Sequence, residues 1–175
     1  MAVRQAIRER LAPLGPLEEH RFCSSGEEGV NLILRLPGRE SSLAPLLVGA
    51  HYDGPLHSPG ADDNASGVAA LLELARRWAT DPPRRPVWLV AFDQEEWGMV
   101  GSAALAQDLR NNRQHLKLMV SLEMLAFTSE QQSYPVPWWP TPVPACCCRG
   151  WPARWEGTCP PRCCRCPTAA MESRE

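Results

Sequence analysis

Short apolar runs alternate with amphipathic stretches along most of this chain. Three runs are almost entirely apolar, and they span Leu46–Ala50, Val87–Phe92 and Leu118–Leu122. Runs of this length are typical of strands that are buried on both faces, as in a parallel sheet covered by helices. We therefore predict that these three runs form the central strands of the domain and that helices cover both sides of them.

The stretches between and before these runs predict helices and a hairpin. From Asn64 to Trp78, apolar residues recur at the spacing of one helix face. The other predicted elements are a helix over Met99–Leu109, an amphipathic helix over Val3–Leu14, and two hairpin strands over Glu18–Cys23 and Val30–Leu36. This order of elements predicts an α/β fold, a three-layer αβα sandwich with a mixed, largely parallel central sheet.

The alternating pattern ends near Ser133. From there to Glu175 the chain is rich in Pro, Trp, Cys and Arg, and seven of its eight cysteines lie between Cys146 and Cys166. Prolines at this density exclude regular helices and central strands. We predict an incomplete domain over residues 1–133 and a tail over 134–175 that is disordered or foreign to the domain.

Composition and charge exclude several classes of function. The formal net charge is −2, whereas nucleic-acid-binding proteins usually carry a basic patch or a high pI. No apolar stretch reaches the roughly 18 residues that a membrane-spanning helix needs, so we expect no membrane partner. Charged residues occupy the N-terminal region where a signal peptide has its apolar run, which makes the cytoplasm the default location. Secretion stays open if the N-terminus is incomplete, and the oligomeric state cannot be inferred.

Acidic residues and one histidine follow the predicted central strands. In chain order they are His51 and Asp53, then Glu95 and Glu96, then Glu123, with Asp63 ahead of a predicted helix. Because ligands bind beyond the carboxyl ends of strands in open α/β sheets, these segments should meet at one edge. Clustered carboxylates repel one another unless a cation lies between them, and imidazole with carboxylate oxygen suits Zn²⁺. The sequence therefore predicts a zinc site.

Each segment also has a simpler interpretation when it is considered alone. Asp62–Asn64 resembles an ordinary helix cap, and Glu95 with Glu96 would favour the dipole of a following helix. Glu123 would be a solvated strand end, and His51 an ordinary loop or core histidine. We favour the shared site because four independent coincidences at the same sheet edge are much less probable than one constellation.

Three motifs in this chain resemble those of the co-catalytic zinc aminopeptidases. That family includes bacterial leucyl-type aminopeptidases and, as relatives, the glutaminyl cyclases. The motifs are VGAHYD at 48–53, SPGADDNASG at 58–67 and FDQEEWGMVGS at 92–102, in the family's order. The resemblance extends from the first predicted helix to about Tyr134. It implies the zinc-peptidase fold, here truncated relative to the family.

The resemblance implies a role for each candidate side chain. The metal ligands would be His51, Asp63, Glu96 and Glu123, with Asp63 bridging two zinc ions and Glu123 completing the site of His51. The residues that support catalysis would be Glu95 as general acid and base, and Asp53, which fixes the ring of His51. The activity implied is metal-dependent removal of N-terminal residues from peptides that have a free N-terminus.

The chain departs from the family pattern after its third motif. The family supplies a fifth ligand from a histidine far downstream, whereas the four histidines here are His20, His51, His57 and His115, all before Glu123. The site that contains Glu96 therefore lacks a protein ligand, and the C-terminal part of the family domain is missing or replaced. Three alternatives stay open: an aminopeptidase impaired by this loss, a single-zinc acyl transferase of the glutaminyl cyclase type, and a catalytically silent metal-binding remnant.

Overall fold

A mixed sheet of five strands forms the centre of the computed structural model, which describes residues 2–55 and 57–126. The strands are β1 (Leu17–Ser24), β2 (Glu27–Leu36), β3 (Leu46–His51), β4 (Val87–Phe92) and β5 (Leu118–Ser121). Their order across the sheet is β1-β2-β4-β3-β5. Strand β3 is parallel to both β4 and β5, while β2 is antiparallel to β1 and β4. The predicted mixed sheet is thus confirmed.

Helices cover the two faces of this sheet, and they are α1 (Ala2–Leu11), α2 (Gly67–Thr80) and α3 (Val100–Asn111). A 3-10 turn over Ala12–Leu14 continues α1. Neighbouring residues of a strand point to opposite faces, and β4 shows the consequence. Leu89 packs with α1 and α2, whereas Val90 packs with Leu105 of α3. The predicted three-layer arrangement is confirmed.

Strand β5 departs from the prediction that all three apolar runs are buried on both faces. Its residues are exposed, with Leu118 at 49%, Met119 at 43% and Val120 at 38%. Among the strands that the structure describes, β5 pairs only with β3 and so forms an edge of the sheet. An apolar run predicts a strand but does not predict whether a neighbour lies on each side of it.

The helix that was predicted to begin at Asn64 begins instead at Gly67. The preceding segment, Ala61–Ser66, is an irregular helical turn in which Asp63 has φ −99° and ψ 92° and Asn64 has φ −134° and ψ 39°. These non-helical angles turn both side chains toward the ends of the neighbouring strands. The irregular turn therefore contributes to the site described below.

The predicted domain boundary at residue 133 and the tail over 134–175 lie outside the described residues. The part of the chain that the structure describes falls within one compact unit, Met1–Phe127, and the second unit, Thr128–Glu175, is not described. Within the described ranges, no helix combines the length and apolarity required to cross a membrane.

Candidate metal centre

The carboxyl ends of β3, β4 and β5 meet the irregular turn before α2 at one edge of the sheet. His51, the last residue of β3, is only 2% exposed. Its Nε2 lies 3.0 Å from Asp63 Oδ1 and 3.3 Å from Glu123 Oε2. Ligands that bind one tetrahedral zinc ion at about 2.0–2.1 Å lie roughly 3.3 Å from one another. These three atoms are therefore spaced like ligands of a single ion.

Glu95 and Glu96 bring two more carboxylates to the same histidine. One ligand atom from each of them and from His51 all lie within 4.8 Å of one another. Glu96 Oε1 is buried and has no hydrogen-bond partner among the residues that the structure describes. A buried carboxylate oxygen without a partner is unfavourable, and a bound cation would supply the missing interaction. On this observation, the side chains present fit a zinc site.

The ring of His51 is held by Asp53, two residues further along the chain. Nδ1 donates a hydrogen bond to the backbone carbonyl oxygen of Asp53 at 3.1 Å, and the Asp53 carboxylate lies 3.4 Å from the same nitrogen. Both groups accept hydrogen bonds, so Nδ1 carries a proton. Nε2 is thus left to face the carboxylates, which is the tautomer that a metal ligand needs.

Asp53 has a second set of contacts that sequence reasoning missed. Its carboxylate accepts the backbone N–H of Glu95 at 3.0 Å and that of Glu96 at 3.1 Å. Burial raises the pKa of Asp53, but the hydrogen bonds from His51 and from these two amides lower it more, so that the net pKa is below its usual value. One carboxylate thus fixes the histidine and the turn that carries both glutamates. Nothing local to Asp53 in the sequence signals this contact.

Asn64 fixes Glu123 in a similar way. Its Nδ2 donates to Glu123 Oε2 and to the carbonyl oxygen of Leu122, each at 2.8 Å, while Ser121 Oγ donates to Glu123 Oε1 at 2.8 Å. Asn64 Oδ1 also accepts the backbone N–H of Gly67, as a capping residue does. The residue that looked like a simple cap therefore also ties the start of α2 to the end of β5.

Charge accumulates at this site when no cation is bound. Burial lowers the pKa of His51, but its hydrogen bond to Asp53 and the charge of Glu123 raise it more, to about 9. Burial and the neighbouring charge of Asp63 raise the pKa of Glu96. The metal-free site therefore holds a proton on His51 in neutral solution, in place of a cation.

We predict that zinc binding at about pH 7.5 releases close to one proton per chain from His51. Because the pKa of His51 is raised to about 9, its imidazole is protonated at about pH 7.5. The imidazole must lose this proton to bind a metal ion. Isothermal titration calorimetry in buffers with different ionisation enthalpies measures this release. The number should fall toward zero as the pH rises above about 10. Binding at about pH 7.5 without proton release would contradict the prediction.

The other three histidines lie away from this cluster. His57 is exposed in the loop before the irregular turn, and His115 is exposed beside Pro45, at the amino end of β3. His20 in β1 is hydrogen-bonded to Asp108. Within residues 2–55 and 57–126, the groups of side chains spaced to hold a metal ion include none of these histidines. None therefore replaces the downstream ligand that the resemblance implies.

Comparison with known proteins agrees with these observations. The model of peptidase family M28 matches residues 31–140. The uncharacterized protein YfbL of Escherichia coli is 41% identical over 108 residues, which cover 53% of this chain and 32% of that protein. A probable zinc metalloprotease of Pyrenophora tritici-repentis is 38% identical over 102 residues, covering 54% of this chain and 24% of that protein. The chain thus matches a third or less of these relatives.

A solved structure extends the comparison to the fold. The glutaminyl cyclase of an Acidobacteriales bacterium superposes with a TM-score of 0.62 at 25% identity. The superposition covers 70% of this chain and 49% of the cyclase chain. The described domain therefore corresponds to about half of that chain.

Proposed function

Because the chain belongs to peptidase family M28, we propose that it carries the zinc-binding part of a peptidase active site. The substrate would be a peptide with a free N-terminus, from which the complete site removes the first residue. The observation that carries this proposal is the position of His51 Nε2, 3.0 Å from Asp63 and 3.3 Å from Glu123. Carboxylates this close to one another repel, and a cation bound between them and His51 would remove that repulsion.

In this proposal, His51, Asp63 and Glu123 hold one zinc ion, and Asp63 with Glu96 holds the second. When bound, zinc polarises the scissile carbonyl group and acidifies the attacking water. The protein fixes the ligands in place beforehand. Hydrogen bonds orient His51 and Glu123 before any cation arrives, which lowers the ordering entropy that binding must overcome.

Glu95 would move the proton. Its backbone N–H is held by Asp53, whereas its side chain is 36% exposed and lies 4.0 Å from His51 Nε2. A carboxylate with a fixed backbone and a free end can accept the proton of the attacking water and pass it to the leaving amine. The buried oxygen of Glu96 suits a ligand better than a proton carrier.

A second candidate is acyl transfer of the glutaminyl cyclase type with a single zinc ion. The 25% identity and the TM-score of 0.62 to a bacterial glutaminyl cyclase favour it. The ligand set of His51, Asp63 and Glu123 is enough for one ion. We prefer hydrolysis because adjacent Glu95 and Glu96 suit a two-metal site.

Zinc stoichiometry measured with two activity assays separates these candidates. We expect two zinc ions per chain and chelator-sensitive hydrolysis of aminoacyl anilides. One ion with cyclisation of an N-terminal glutamine would favour the second candidate. Zinc binding without either reaction would contradict both and leave a protein that only binds metal.

A further inference from the structure

A buried asparagine on β2 joins the two ends of the segment that carries both candidate glutamates. Asn31 is 0% exposed. Its Oδ1 accepts the backbone N–H of Asp93 at 2.9 Å, where segment 93–101 leaves β4. Its Nδ2 donates to the carbonyl oxygen of Gly101 at 2.8 Å, in the first turn of α3. One side-chain amide thus closes the base of the whole segment.

The contacts of Asn31 allow only one orientation of its amide group. Oδ1 faces an N–H and Nδ2 faces a carbonyl, so exchanging them would break both hydrogen bonds. Nδ2 also lies 3.0 Å from Nδ1 of His20, which must therefore accept. Nε2 of His20 then carries the proton and donates to Asp108 of α3 at 2.9 Å. Asn31 is thus connected through His20 to β1 and to the last turn of α3.

Gly101 allows the two ends of the segment to approach. A Cβ at this position would lie 2.2 Å from the carbonyl oxygen of Asp93 and 2.5 Å from Asn31 Oδ1. Real Cβ atoms essentially never come this close to another atom, and the carbonyl oxygen of Asp93 belongs to the backbone, which cannot move aside as a flexible side chain can. Any side chain at Gly101 would therefore force the base of the segment open.

The segment itself contains backbone conformations that need external support. Gln94 has φ +56° and Met99 has φ +60°, which are left-handed values that non-glycine residues rarely adopt. Such conformations persist where the surrounding contacts impose them. Within the turn, the backbone N–H groups of Glu95 and Glu96 both donate to the carboxylate of Asp53, which lies outside the segment. The other restraints from outside the segment are the closed base and the hydrogen bonds that Asp93 and Gln94 make with β2.

We propose that Asn31 is a positioning residue that clamps segment 93–101 and thereby sets where Glu95 and Glu96 stand relative to the metal ions. It does not touch the reacting groups. The clamp is a property of the fold, whereas its effect on turnover rests on the proposed function. The two can be tested apart.

The clamp is tested by amide hydrogen exchange in the variant Asn31→Ala. Exchange within segment 93–101 should accelerate about tenfold more than exchange of the β3 and β4 amides, because the segment opens locally. The matched control is Gln107→Ala, which removes an exposed amide side chain from α3 and should leave both rates unchanged. An equal acceleration in the segment and in the strands would show a general loss of stability and overturn the proposal.

The catalytic consequence has its own readout. In Asn31→Ala, kcat should fall about tenfold while KM stays within about twofold and the protein keeps its zinc. Unchanged kcat in a segment that has opened would overturn the positioning role. If the wild-type chain hydrolyses no peptide, the proposed function fails, and the exchange data still decide whether the clamp exists.

A measurement on the wild type covers the case in which Asn31→Ala does not fold. The side-chain amide protons of Asn31, followed by NMR, should exchange with solvent at least about tenfold more slowly than those of the exposed Asn111. Equal rates for the two asparagines would overturn the clamp.

Discussion

Replacing Glu95 with glutamine is expected to lower turnover by about 10²–10⁴-fold while the zinc content stays the same. Glutamine keeps the size of the side chain and the backbone N–H that Asp53 accepts, but it cannot take a proton from water. The loss should appear in kcat, because the proton moves in the transition state. Steady-state kinetics and elemental analysis on the same preparation measure both quantities.

The matched control for this variant is Glu96→Gln, one residue further on. The buried Oε1 of Glu96 is proposed as a metal ligand, so replacing this residue with glutamine should reduce zinc content as well as turnover. Loss of zinc in Glu95→Gln with retention in Glu96→Gln would mean that the roles of the two glutamates are reversed. Full activity in Glu95→Gln would exclude it as the general base.

Replacing His51 with alanine should weaken zinc binding by more than about 100-fold, which exceeds the usual effect of groups that only support a ligand. The ring is buried and, within residues 2–55 and 57–126, belongs to each of the two groups of side chains that are spaced to hold an ion. The variant should also lose the stabilisation that zinc gives the wild type, about 2.7 kcal/mol when free zinc is 100 times the dissociation constant. Competition with a chromophoric chelator and thermal unfolding with and without zinc measure the two effects.

The control for this second prediction is His115→Ala. His115 is also a histidine in the folded unit, but it is exposed at the opposite end of the sheet, beside Pro45. The His115→Ala variant should bind zinc like the wild type, and zinc should raise its unfolding temperature by the same amount. Zinc affinity that is equal in His51→Ala and His115→Ala would place the metal elsewhere.

Local patterns were sufficient to predict the sheet. Val87–Phe92 was predicted from its apolar run, and β4 has the same bounds because it is buried on both faces. The exposure of Leu118 and Met119 was not predictable in this way, since it depends on which strands flank β5. An apolar run therefore predicts a strand, but the exposure of its side chains also depends on which elements pack beside that strand.

The site was predictable in its composition but not in its supporting contacts. Acidic residues after successive strands, combined with parallel topology, predicted that His51 and Glu123 would meet. The contact of Asp53 with the amide of Glu95 spans 42 residues, and that of Asn31 with the amide of Asp93 spans 62. Such contacts follow from strand order, which no local pattern in the chain encodes.

The start of α2 illustrates the same limit. Asn64 was predicted as the start of the helical stretch because apolar residues recur at helix spacing from there to Trp78. Its side chain also donates a hydrogen bond to Glu123, 59 residues away, and the backbone of Asn64 has non-helical angles. A tertiary hydrogen bond at the site thus outweighs the local preference, and the helix begins at Gly67.

The proposed function requires a cation between the ends of three strands and the turn before α2. The most direct test is a crystal structure of the protein with zinc, with anomalous diffraction data collected at the zinc absorption edge. We predict a peak about 2.0–2.2 Å from His51 Nε2 and from one carboxylate oxygen each of Asp63 and Glu123. No peak at this position in zinc-loaded crystals, or a peak bound by other residues, would contradict the account.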